Sequence, residues 1–159
     1  MRQQINFPEN AAAYFKHGYN CAQSVLLTMQ EYYNYPKNEL IPKIASAFGG
    51  GVGRSGSLCG ALTGATMVIG MKHGTNDSGT KKREKAYSLT QKFYERFTEE
   101  FGTPYCRELI GYDLTNPEEL EKAWKANVFE KKCAKFVKKT IEILTTMEKE
   151  NVKLGFVRS

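Results

Sequence analysis

The residues of this chain with reactive side chains to offer are four cysteines, Cys21, Cys59, Cys106 and Cys133. Each is dozens of residues from the next, so there is no CxxC pair, no local zinc knuckle and no CxxCH motif for covalent haem. Any site they share has to be assembled by the fold. A thiolate attacks disulfides, accepts oxidation and ligates soft metals. Four thiolates that meet would suit one or two reversible disulfides, a tetrahedral zinc or an iron-sulfur cluster. Free cysteine also packs as a small hydrophobe, so inert cysteines are the plain alternative, above all for Cys133.

The local setting of three of them favours reactivity. Cys21 follows Asn20, Cys59 lies two residues beyond Ser57, and Cys106 lies three beyond Thr103, with Pro104 expected at the first helical position. Helix N-termini present free N–H groups and partial positive charge, which stabilise a thiolate. Cys59 and Cys106 are therefore expected to be the thiols of lowered pKa, with Arg54 and Arg107 near them. Cys21 and Cys133 would be their resolving partners or co-ligands.

The elements that must position these residues all read as helices. Pro8 to His17 forms a short one stopped by Gly18, and Asn20 caps a second that carries Val25, Leu26, Met29 and Tyr33 on one face and ends before Pro36. Leu40 to Phe48 leads into the glycine run Gly49 to Gly56, after which Ser57 caps an apolar helix from Leu58 to Met71. A long helix from about Lys81 to Phe101 sets Ala86, Leu89, Phe93 and Phe97 on one side. Thr103-Pro104 opens a short helix stopped by Gly111, and Asn116-Pro117 opens another through Trp124, which reads as core or interface. The last, from about Phe129 to Lys149, aligns Cys133, Phe136, Val137, Ile141, Leu144 and Met147. Nothing alternates as a strand would, so the expectation is one all-α domain over residues 1–159, an irregular bundle of about seven or eight helices.

Composition bounds the partners. The 159 residues are 41% apolar and 25% charged, as a globular chain requires, and the net charge of +6 is spread among interspersed acids. Runs such as Lys81-Lys82-Arg83-Glu84-Lys85 read as solvated helix faces, and no nucleic-acid motif accompanies them. The N-terminus lacks the apolar run of a signal peptide, and Leu58 to Met71 falls short of the ~20 residues a membrane span needs. A cytoplasmic protein with no nucleic-acid partner and no membrane insertion is expected.

Other candidate sites are weaker. Gly51-Val52-Gly53-Arg54-Ser55-Gly56 spells G-x-G-x-x-G, but a dinucleotide fingerprint follows a strand and this run follows a helix. The alternative is a loop whose N–H groups cradle an anion or let a ligand approach Cys59. Gly56, Gly60 and Gly64 recur every fourth residue with Ala61 and Ala65 beside them, leaving a helix face bare for close packing, for a ligand, or for a second copy in a homodimer. His17 and His73 each precede a glycine at a helix end, where histidine complements the dipole; either would serve as a nitrogen ligand if only three cysteines met. No Ser-His-Asp order or carboxylate pair suggests a hydrolase.

With Asn20-Cys21-Ala22, then Cys59-Gly60-Ala61-Leu62-Thr63-Gly64, then single Cys106 and Cys133, the chain resembles the C_GCAxxG_C_C family, named redox-active for its cysteines. The likeness runs from about Gly18 to Cys133, with no departure at a motif position. The resemblance implies a redox protein that acts through Cys21, Cys59, Cys106 and Cys133, as thiol/disulfide pairs or as metal ligands in electron transfer, with Gly60, Ala61 and Gly64 beside any cofactor and an unidentified redox partner. Similar domains occur in haem and iron-sulfur proteins, which by analogy admits a metal cluster; the cofactor stays open, with an iron-sulfur cluster or zinc, both suited to thiolate ligands, as the candidates. A non-enzymatic metal-binding regulatory module and a helical interaction protein with inert cysteines are the alternatives.

Overall fold

Three asparagines set helix starts. In the computed structural model, which describes residues 5–153, Asn6 caps α1 (Phe7–Lys16) by accepting the N–H of Glu9, with Pro8 in the first turn. Asn20 caps α2 (Cys21–Tyr32) in a reciprocal box: its Oδ1 accepts the Gln23 N–H at 2.9 Å, and Gln23 Oε1 accepts the Asn20 N–H at 3.0 Å. Asn116 caps α7 (Pro117–Lys125) with two backbone donors. The first four residues, on which the reading of the N-terminus partly rests, and residues 154–159 lie outside the described residues.

Between these lie α3 (Leu40–Ala45), which tightens into a 3-10 turn at Ser46–Phe48; α4 (Gly60–His73); α5 (Glu84–Phe101), entered through a 3-10 turn at Lys81–Arg83; and α6 (Cys106–Ile110). The last helix, α8 (Ala134–Lys153), is entered through a π turn at Phe129–Cys133. The all-helical reading holds: among the described residues there is no strand, and no helix is long and apolar enough to cross a membrane.

Two helix starts differ from expectation for one reason. Residues 56–59 and 104–107 run antiparallel and pair through an isolated bridge at Leu58 and Tyr105. Cys59 N–H donates to Pro104 O at 2.8 Å, and Cys106 N–H donates to Ser57 O at 2.7 Å. Ser57 and Leu58 are thereby committed to a ladder, so α4 begins at Gly60 with Cys59 itself as the cap. Pro104 is drawn into the same ladder, so Tyr105 becomes the cap and Cys106 the first residue of α6.

The glycine repeat is a packing device. Gly60 and Gly64 face α2: a Cβ on Gly64 would lie 2.9 Å from Ala22 O, and one on Gly60 would lie 3.0 Å from Cys21 Cβ. Ala61 is fully buried. Gly56 stands outside the helix, in the loop against Arg107. The two helices thus meet almost backbone to backbone, and that contact delivers Cys21 to the start of α4.

The apolar stripes meet as their spacing predicts. Val25 and Met29 of α2, Val68 of α4, Phe93 and Phe97 of α5, and Val137 and Ile141 of α8 are wholly buried in one connected core, each contributing about 1.5–3 kcal/mol of transfer free energy. Phe97, Phe101 and Phe136 stack edge to face from α5 to α8, with centroids 4.8 and 5.0 Å apart. Helices α2 and α8 run the same way. Cys21 meets Cys133 at their N-terminal ends, and Tyr33 OH donates to Glu148 Oε1 at 2.9 Å at their far ends. Trp124 is not core: it is 59% exposed and leans on Phe129 at 4.4 Å.

Candidate thiol site

All four cysteines are free, buried thiols, and all four line one cavity of about 1000 Å³. Four separate devices bring them there. The Asn20 cap fixes Cys21, the Gly60 contact presses it to α4, the bridge of Leu58 and Tyr105 holds Cys59 beside Cys106, and the π turn swings Cys133 inward. Gly51 completes the seat of Cys106. It has φ +70, and a Cβ on it would lie 2.6 Å from Cys106 Cβ and 2.7 Å from Ser57 O, so only glycine fits there.

Within the cavity the thiols are not equivalent. Cys21 and Cys133 are hydrogen-bonded to each other. Cys21 acts as the donor, so sharing with Cys133, burial and the charge of the other sulfurs push its own thiol up. The same bond lowers Cys133, against its burial, with help from the Lys132 ammonium. That ammonium is anchored by donating to Ile110 O at 3.1 Å.

The expectation for Cys59 and Cys106 is overturned. Burial pushes Cys59 up to about 12, although its sulfur accepts backbone N–H groups from Ala61 and Leu62 at the head of α4. Burial and the neighbouring Cys133 push Cys106 up to about 12 as well. Desolvation disfavours the anion by more than one helix terminus returns, and α6, at five residues, has little dipole to give. Arg107 offers no help, since its guanidinium is turned to Asp113 at 3.0 Å.

The donor set is soft enough for zinc or an iron-sulfur cluster. Among the described residues no three His, Cys, Asp or Glu side chains are grouped as a single metal ion requires. The histidines lie elsewhere: His17 Nδ1 is 2.7 Å from Ala13 O, and His73 Nε2 is 3.0 Å from Glu148 Oε1. Gly60 lines the cavity, while Gly64 and Ala61 belong to the contact with α2 and the core.

The G-x-G-x-x-G run is no open anion nest either. The N–H groups of Arg54, Ser55, Gly56 and Ser57 donate to the carbonyls of Gly49, Val52, Gly50 and Gly51, so they are satisfied within the loop. Three features of the site were not anticipated: the pairing of residues 56–59 with 104–107, the charge of Lys132, and the aromatic wall of Phe15, Phe129, Phe136 and Trp124. Two-residue bridges leave no period in a sequence. The aromatics sit at the edges of stripes whose centres are core.

The sequence model of a family described as "Putative redox-active protein (C_GCAxxG_C_C)" matches residues 19–147. The chain is also similar to a protein of Archaeoglobus fulgidus that bears only the name "Uncharacterized protein", with 27% identity over 139 residues, 82% of this chain and 85% of that one. No solved structure gives a significant match.

Proposed function

The chain belongs to the C_GCAxxG_C_C family, and from that membership we propose that it is a dithiol/disulfide redox protein whose working pair is Cys21 and Cys133. The observation that carries this reading is that these two buried sulfurs line one cavity as neighbours, each the largest influence on the other's thiol. A pair that shares one proton has a nucleophile and a second thiol already in contact, which is what disulfide exchange needs.

The oxidant in this reading is an external disulfide, R–S–S–R. The Cys133 thiolate attacks one of its sulfurs, forming a Cys133–S–S–R bond and releasing one R–S⁻. Cys21, losing its proton to the released thiolate, attacks the Cys133 sulfur, closes the Cys21–Cys133 bond and releases the second R–S⁻. The protein pair gives up two electrons and the external disulfide takes them; the single proton of the pair ends on the first R–SH, and the second R–S⁻ takes its proton from solvent. Reduction by a dithiol runs the same steps in reverse. Cys59 and Cys106, protonated at neutral pH, are held as a reserve beside the pair.

Thiol counting in a series of redox buffers tests the reading. The native protein should lose two thiols in one reversible step, and Cys21→Ala and Cys133→Ala should each abolish that step while Cys59→Ala keeps it. A step that survives both alanine variants would overturn it.

A further inference from the structure

The thiol cavity is open to solvent and unevenly charged along its lining. At about 1000 Å³ it sits at the upper end of small-molecule sites, and the exposure of Trp124, Tyr19 and Arg54 on its lining shows that it reaches the surface. Its walls are aromatic and aliphatic, and its thiols are buried. Three charged side chains line it: Lys16, Arg54 and Glu130. The carboxylate of Glu130 accepts from Asn127 Nδ2 at 3.0 Å. Neither the Lys16 ammonium nor the Arg54 guanidinium has a hydrogen-bond or ion-pair partner among the described residues. Two unspent cations therefore face one carboxylate.

Arg54 carries a second sign of purpose. It has φ +66 in a run where four of the five preceding residues are glycine. A side chain in that left-handed conformation is strained relative to glycine, and glycine would serve the turn better. An arginine at this position, exposed on the lining of a thiol cavity and without a partner among the described residues, is placed to meet something that arrives.

Resting on the dithiol reading above, the geometry points to a low-molecular-weight anionic disulfide as the co-substrate: a compound whose carboxylate meets Arg54 and Lys16 while its apolar part lies on the aromatic wall and its sulfurs reach Cys133. Arg54 acts here as a substrate-binding residue, and the bond changes are those of the exchange already written.

The test uses three disulfides of similar size and different charge: dithiodiglycolate (anionic), bis(2-hydroxyethyl) disulfide (neutral) and cystamine (cationic). The rate at which each oxidises the Cys21–Cys133 pair of the full chain is read by quenched alkylation and mass spectrometry. The anionic compound should react faster than the cationic one by on the order of tenfold at low salt, a preference that shrinks as salt rises. Arg54→Gln should collapse the ratio of anionic to neutral rates, and Arg54→Lys should restore it. Equal rates for the three compounds, or a cationic preference, would overturn the inference while leaving the dithiol reading in place. If none of the three oxidises the pair, the dithiol reading falls and takes the inference with it.

Discussion

Cys133 owes its difference from the other thiols to one neighbour and one charge. The hydrogen bond from Cys21 stabilises its anion, burial opposes that, and Lys132 tips the balance further downward. Iodoacetamide should therefore modify Cys133 at a lower pH than an ordinary thiol, while Cys59 and Cys106, pushed up to about 12, stay silent through the neutral range. In Cys21→Ala the donor is gone, so the pH at which Cys133 alkylates should move up; an unchanged pH profile would mean that Cys21 does not set it. A second residue-scale outcome concerns Gly51. Alanine there is strained by φ +70 and would put its Cβ 2.6 Å from Cys106 Cβ, so Gly51→Ala should cost at least about 2 kcal/mol in denaturant melts.

At the scale of elements, the glycines of α4 separate two effects that a sequence confounds. Gly64 touches the backbone of Ala22, whereas Gly70, on the same helix, is exposed with nothing within 4 Å of an added Cβ. Gly64→Ala should destabilise by about 1–3 kcal/mol by forcing α4 off α2. Gly70→Ala should stabilise by about 0.5–1 kcal/mol through helix propensity and a less free unfolded chain. The pair is read in one set of urea transitions. What was legible beforehand follows the same division. Helix order, the asparagine caps and the stripes of α2, α5 and α8 came from local rules of spacing and capping, and the structure keeps them. The starts of α4 and α6 were misplaced because a nonlocal hydrogen bond between residues 57 and 106 outranked a local serine cap and a local proline. The thiol pKa values were misassigned because helix termini can be read from sequence and desolvation cannot.

Across the whole molecule, the parallel α2 and α8 carry a thiol pair at one end and, at the other, the Glu148 carboxylate held by Tyr33 and His73. Burial would push the Glu148 carboxyl up, but hydrogen bonds from His73 and Tyr33 and the charge of Lys72 outweigh it and hold the group below its ordinary 4.5. A carboxyl with a lower pKa folded than unfolded adds stability that is complete above the unfolded value and fades as pH falls through the folded one. Acid should thus begin to weaken the fold below about 4.5, and Glu148→Gln should flatten that part of the melting temperature against pH. The thiol end carries the function. The most direct measurement there is peptide mapping by mass spectrometry of protein oxidised in its native state with a neutral disulfide, compared with a sample re-reduced afterwards. One linked species joining the Cys21 and Cys133 peptides is expected, reversible with dithiothreitol, with Cys59 and Cys106 still free. A bond between Cys59 and Cys106 alone, or no intramolecular bond at all, would contradict it.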